Sequence, residues 1–174
     1  MQTHRYRSSQ VFLHWATFLL VAVLVSLPYA DEFYRSMLGS RRNVMTLHKS
    51  LGILVLLLTV ARLLVRWRTP RPAQANVPLD HAARAGHYLL YAVLLAMPVS
   101  GLVFNSKPLD LFWLVQLPPL PVSEDARQLA RQFHLVAQYL FLALVAGHAG
   151  FALWHHYVRK ERVLATMSFG GARQ

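Results

Sequence analysis

A chain of 174 residues that is 55% hydrophobic and only 14% charged falls well short of the roughly 25% charge of an ordinary soluble domain. With its positive mean hydropathy it reads as one domain, all-α, a polytopic helical membrane protein. It has no cysteine, which excludes disulfides, thiolate metal centres, iron–sulfur clusters and haem attached through a Cys-x-x-Cys-His motif. The net charge of +11 gathers at the ends of apolar runs, so it points to loops at a membrane surface rather than to nucleic acid.

The first apolar run predicts a span over about residues 9–30. It is too long for the apolar region of a signal peptide and lacks a small-residue cleavage site, so it is expected to be retained. His14 lies near its start, followed by Trp15. A loop is expected over 31–43 and a second span over about 44–65. That span opens with His48. Gly52 and Arg62 follow by four and fourteen residues, on the same helix face. A loop with Pro70, Pro72 and Pro78 leads to a third span over about 82–104, which begins with Gly86-His87. In the segment 105–128, Pro108, Pro118, Pro119 and Pro121 argue against a regular helix. Ser123-Glu124-Asp125 predicts a short entry turn into the fourth span, about 129–157. This last run exceeds the ~20 residues needed to cross, so it should tilt or project.

Lysine and arginine placement sets the orientation. Eleven lie in the terminal segments, the second loop and its margins, against seven on the other side. The positive-inside rule then places both termini in the cytoplasm.

His134 and His148 stand fourteen residues apart in the fourth span. At about 100° per residue both leave one helix face, separated by about 21 Å along the axis. With alternating span directions, His48 and His134 fall at the periplasmic level and His14 and His148 at the cytoplasmic level. Each pair brings imidazoles from two helices to one depth. A lone intramembrane histidine often only hydrogen-bonds a neighbouring helix, but two depth-matched pairs favour ligation. A six-coordinate haem iron takes two opposed imidazoles from a bundle core. Zinc wants more ligands from closer positions, and a proton relay would include carboxylates, which no predicted span contains. Gly52, Gly147 and Gly150 would let a flat group lie close to the backbone, or serve ordinary helix packing. Arg62 either meets a haem propionate or reaches the headgroups.

His14-Trp15, His48-x-x-x-Gly52 continuing to Arg62-x-x-x-Arg66, Gly86-His87, the His134…His148 pair and Trp154-His155-His156-Tyr157 together resemble the prokaryotic cytochrome b561 family. The resemblance covers nearly the whole chain. It implies a bacterial inner-membrane protein with two b haems, and quinone chemistry with ubiquinone. The same four-helix design recurs in the cytochrome b subunits of formate dehydrogenases and nickel–iron hydrogenases. The short chain favours the stand-alone members, those similar to the diheme superoxide:ubiquinone oxidoreductase.

On that reading the chain is an oxidoreductase carrying electrons between a periplasmic-side donor and quinone. His87 and His155, near the cytoplasmic pair, are the candidates to contact quinone, or else anchor helix ends as interfacial histidines do. Arg41, Arg42, Lys49, Lys107, Arg127 and Arg131 would draw in a small anion such as superoxide. Superoxide itself rests on the resemblance. Two other readings stay open. One is a membrane-anchor subunit that needs a soluble partner. The other is a haem-free transporter or scaffold, against which the lack of intramembrane carboxylates and broken-helix repeats counts.

Overall fold

The computed structural model describes residues 7–68, 79–160 and 163–168. In chain order these form α1 (Ser8–Tyr29), the short α2 (Asp31–Leu38), α3 (Arg41–Arg68), α4 (Leu79–Phe104), an antiparallel hairpin of β1 (Leu109–Leu111) and β2 (Val115–Leu117), α5 (Glu124–Tyr157) and the single turn α6 (Val163–Thr166). The four long helices are each apolar enough to cross a membrane. Pro70, Pro72 and Pro78 of the expected second loop lie outside the described residues.

Helix α1 packs on α3, α3 on α4 and α4 on α5. The fourth side of the bundle is open. Among the described residues no Cα of α1 comes within 8 Å of one in α5, and the two helices meet only through side chains. At one end, here the hairpin end, Tyr29 Oη donates to Gln138 Oε1 at 3.2 Å. At the other, the terminal end where α1 starts and α5 finishes, His14 faces His148.

Large apolar side chains such as Phe12, Leu19, Leu57 and Val136 point outward and are exposed, as a surface solvated by hydrocarbon allows. The interior uses small hydroxyl residues. Thr17, Ser50 and Thr59 are buried and donate to the carbonyls of Leu13, Thr46 and Val55 at 2.6, 2.8 and 2.7 Å. Each closes its polar group on its own helix, where no water is available to do so. Leu27, Val44 and Leu51 form a buried apolar cluster, with Phe112 of the hairpin turn packed against it.

Three connections differ from expectation. The segment 31–43 is not simply loop, because Asp31 and Glu32 favour the first turn of α2 and Arg35 pairs with Asp31 at 3.1 Å. Gly39, at φ +80°, ends that helix in the left-handed conformation. The fourth span starts at Glu124, because Ser123 caps it by accepting the Ala126 N–H at 3.3 Å. The expected entry turn is thus the first turn of α5 itself.

Within 105–128 the chain forms the hairpin. Its turn runs from Leu111 to Leu114, with Leu114 N–H donating to Leu111 O at 2.9 Å and Phe112 and Trp113 at φ 49° and 59°. Neither is glycine or asparagine, so each costs on the order of 1–3 kcal/mol. Contacts with α3 hold the turn: Phe112 N–H donates to Ser50 Oγ at 2.9 Å, and Trp113 Nε1 to Asn43 Oδ1 at 3.3 Å.

Candidate functional site

At the terminal end, His14 of α1 and His148 of α5 bring their rings to 6.2 Å between centroids, with the planes 54° apart. Two imidazoles that share one metal ion, each bonded at about 2 Å, have ring centres roughly 6 Å apart. The pair is therefore spaced for one ion between them. His87 of α4 stands edge-on to His148 at 5.2 Å, and its Nδ1–H donates to Ala83 O at 2.6 Å.

Arg62 of α3 also enters this cluster. Its guanidinium lies 3.2 Å from His14 Nδ1 and 5.3 Å from the Tyr91 ring. Arg66 covers the Tyr88 and Tyr91 rings at 5.8 and 5.6 Å. No carboxylate pairs with Arg62 among the described residues.

At the hairpin end, His48 of α3 and His134 of α5 line one apolar cavity with Gly52, Leu24, Met97 and Phe141. His48 Nδ1–H donates to the carbonyl of Leu24 at 2.9 Å. That carbonyl would ordinarily accept the N–H four residues on, but the residue there is Pro28, which has none. His134 Nδ1–H donates to Met97 O at 2.9 Å, and Ser100 Oγ lies 3.0 Å from the same nitrogen. Carbonyl acceptors assign the Nδ1–H tautomer to both rings and leave Nε2 as the lone-pair nitrogen. Histidines that bind a metal are held in this way.

Two glycines lie beside the hairpin-end histidines. Gly52 lines the cavity, and a Cβ on it would sit 3.8 Å from Leu24. Gly101 lies so near His134 that a Cβ would approach its Cε1 to 3.4 Å. By contrast, a Cβ at Gly86, Gly147 or Gly150 would meet nothing within 4 Å.

His48 and His134 form a pair, and His87 stands beside the pair of His14 and His148. Among the described residues no group of three or more His, Asp or Glu converges as a bare-metal site. Two imidazoles from different helices, with apolar side chains around them, suit a metal already chelated in a plane. The donor set of both pairs and the spacing of His14 and His148 therefore fit haem.

The remaining residues named from sequence fall as follows. His155 is buried and packs on Phe151 and Trp154, with centroids 4.2 and 4.9 Å away. A polar cavity of about 510 Å³ at the hairpin end is lined by Lys49, Lys107, Arg127, Arg131 and Glu124. Arg127 there serves the fold, donating to the carbonyls of Val103, Asn105 and Leu120 at 3.4, 2.6 and 2.5 Å. Arg41 and Arg42 are engaged with Asp31 and Asp110, each at 3.2 Å.

Sequence reasoning missed Leu24, Met97, Ser100, Gly101 and Tyr91. Only the Leu24 carbonyl had a legible signal, a proline four residues downstream in an apolar helix.

Comparison with known proteins agrees along nearly the full length. The profile of the prokaryotic cytochrome b561 family matches residues 5–170. Cytochrome b561 homolog 2 of Escherichia coli (strain K12) is 30% identical, over 94% of this chain and 90% of that protein. Cytochrome b561 homolog 1 of the same organism is 26% identical, over 94% and 97%. A protein of Yersinia pestis named probable superoxide oxidase CybB is 26% identical, over 94% and 95%.

Proposed function

The chain belongs to the prokaryotic cytochrome b561 family, membrane haem proteins of bacterial electron transport, and from that premise we propose that it holds two b haems and links a periplasmic-side donor to membrane ubiquinone. His14 and His148 would hold one, His48 and His134 the other. Both termini face the cytoplasm, so the hairpin end is periplasmic. The haem irons, when bound, supply reversible one-electron transfer.

The protein's own residues do the rest. His48 and His134 are locked in the tautomer that offers Nε2, because their Nδ1–H groups are committed to carbonyls. The apolar lining of their cavity keeps water away from the site. At the terminal end His87 and His155 hold the quinone oxygens and supply protons as the ring is reduced. At the hairpin end Lys49, Lys107 and Arg131 attract a small anion, superoxide being the donor suggested by the Yersinia relative's name.

The observation that carries this reading is the 6.2 Å pairing of His14 with His148 across a side of the bundle where the backbones stay apart. A pyridine haemochrome assay tests it, with His14, His48, His134 and His148 each changed to alanine. The expected result is two haems per chain in the native protein and the loss of one in each variant. Full retention in all four variants overturns the ligand assignment. Native protein without haem would leave the transporter or scaffold reading. Haem-loaded protein that reduces quinone only with an added soluble subunit would make it a membrane anchor.

A further inference from the structure

The two histidine pairs differ in what their non-ligating nitrogens meet. His48 and His134 each give Nδ1–H to a backbone carbonyl at 2.9 Å. His14 Nδ1 instead faces the Arg62 guanidinium at 3.2 Å. A carbonyl acceptor makes an imidazole a stronger electron donor to its metal. A cation beside the ring does the reverse, and it also attracts any electron added nearby. Both effects favour the reduced metal at the terminal end.

Arg62 is well placed to act in this way. Arginine stays charged at any working pH. It is partly buried beneath Tyr91, and no carboxylate among the described residues offsets it. The hairpin end also has cations, but they are arranged differently. Lys107 and Arg131 are exposed, where water and salt screen them. Lys49 directs its Nζ to Asn105 Oδ1 at 2.8 Å, and none of the three bonds a histidine ring.

Resting on the two-haem reading, we propose that Arg62 is a potential-setting residue: its positive charge beside His14 makes the terminal-end haem the easier of the two to reduce. The asymmetry gives the electron a preferred end of the bundle, the one where His87 and His155 lie. Arg62 acts through the local field, not by touching substrate.

The test is a dye-mediated redox titration of the purified holoprotein, followed by haem absorbance, for the native chain, Arg62→Gln and Arg62→Lys. The native protein should titrate in two waves of equal amplitude. Arg62→Gln keeps an N–H donor but loses the charge, and it should shift the upper wave downward while leaving the lower wave in place. Arg62→Lys should shift it less. An unmoved upper wave in Arg62→Gln, movement of the lower wave alone, or equal shifts in both variants would overturn the proposal.

A second measurement covers the case in which Arg62→Gln loses haem. His48→Ala should keep only the terminal-end haem and His14→Ala only the hairpin-end haem. The first should then have the higher midpoint potential, and the opposite order overturns the proposal. Failure of the two-haem reading itself shows separately, as a wrong haem count before any titration.

Discussion

The carbonyl oxygen of Leu24 accepts the Nδ1–H of His48 at 2.9 Å, and Pro28 has no N–H with which to claim that oxygen first. A proline in the last turn of α1 thereby orients a histidine on α3. In hydrocarbon a carbonyl left without its helical partner must find another donor, so one residue type produces both the vacancy and the alignment.

Pro28→Ala is expected to restore a competing N–H and loosen His48. Outer partners of this kind typically change metal affinity about 10–100-fold. Because the carbonyl can still accept two bonds, the lower end is expected, an about tenfold faster transfer of the hairpin-end haem to an apo-globin scavenger. Transfer of the terminal-end haem should be unaltered.

Gly101 sets the space beside His134. A Cβ there sits 3.4 Å from His134 Cε1, a distance the ring can absorb by moving a few tenths of an ångström. Gly101→Ala should therefore keep both haems. Gly101→Val adds two methyl groups beside the ring and should displace it, halving the haem content by pyridine haemochrome.

Arg127 links the start of α5 to the carbonyls of Val103, Asn105 and Leu120. Its side chain is only 14% exposed, so its loss leaves those carbonyls short of a charged donor. Arg127→Ala should cost about 2–3 kcal/mol, read as a lower unfolding midpoint in detergent. Arg127→Lys cannot reach three separate carbonyls and should recover less than half of that.

Lys107 and Arg131 line the polar cavity and are exposed, so any attraction for an anionic donor acts through solvent. The rate of reduction by such a donor should fall as ionic strength rises and the Debye length shrinks to ~8 Å at 0.15 M. The double variant Lys107→Gln/Arg131→Gln should be several-fold slower at low salt and nearly insensitive to salt. Stopped-flow reduction across a salt series measures both.

Much of the architecture is legible along the chain because hydrocarbon permits so few solutions. Apolar runs of spanning length must become helices, and the four found, including Ser8–Tyr29 and Glu124–Tyr157, lie close to where hydropathy puts them. The hairpin is not legible. Phe112 and Trp113 carry no signal for positive φ, and they adopt it because Ser50 and Asn43 on α3 hold them there. Helix α2 is legible only after the fact, from Asp31, Glu32 and the closing Gly39.

The sequence by itself determined that this is a helical membrane protein with four histidines at two depths, since helical period and rise turn spacing into face and height. Only the tertiary structure decided what surrounds each ring. It set Leu24 O beside His48, Met97 O beside His134 and Arg62 beside His14. Those contacts join residues 24, 37 and 48 positions apart. They depend on how helices lean and turn against one another, which no periodicity within a single helix can encode.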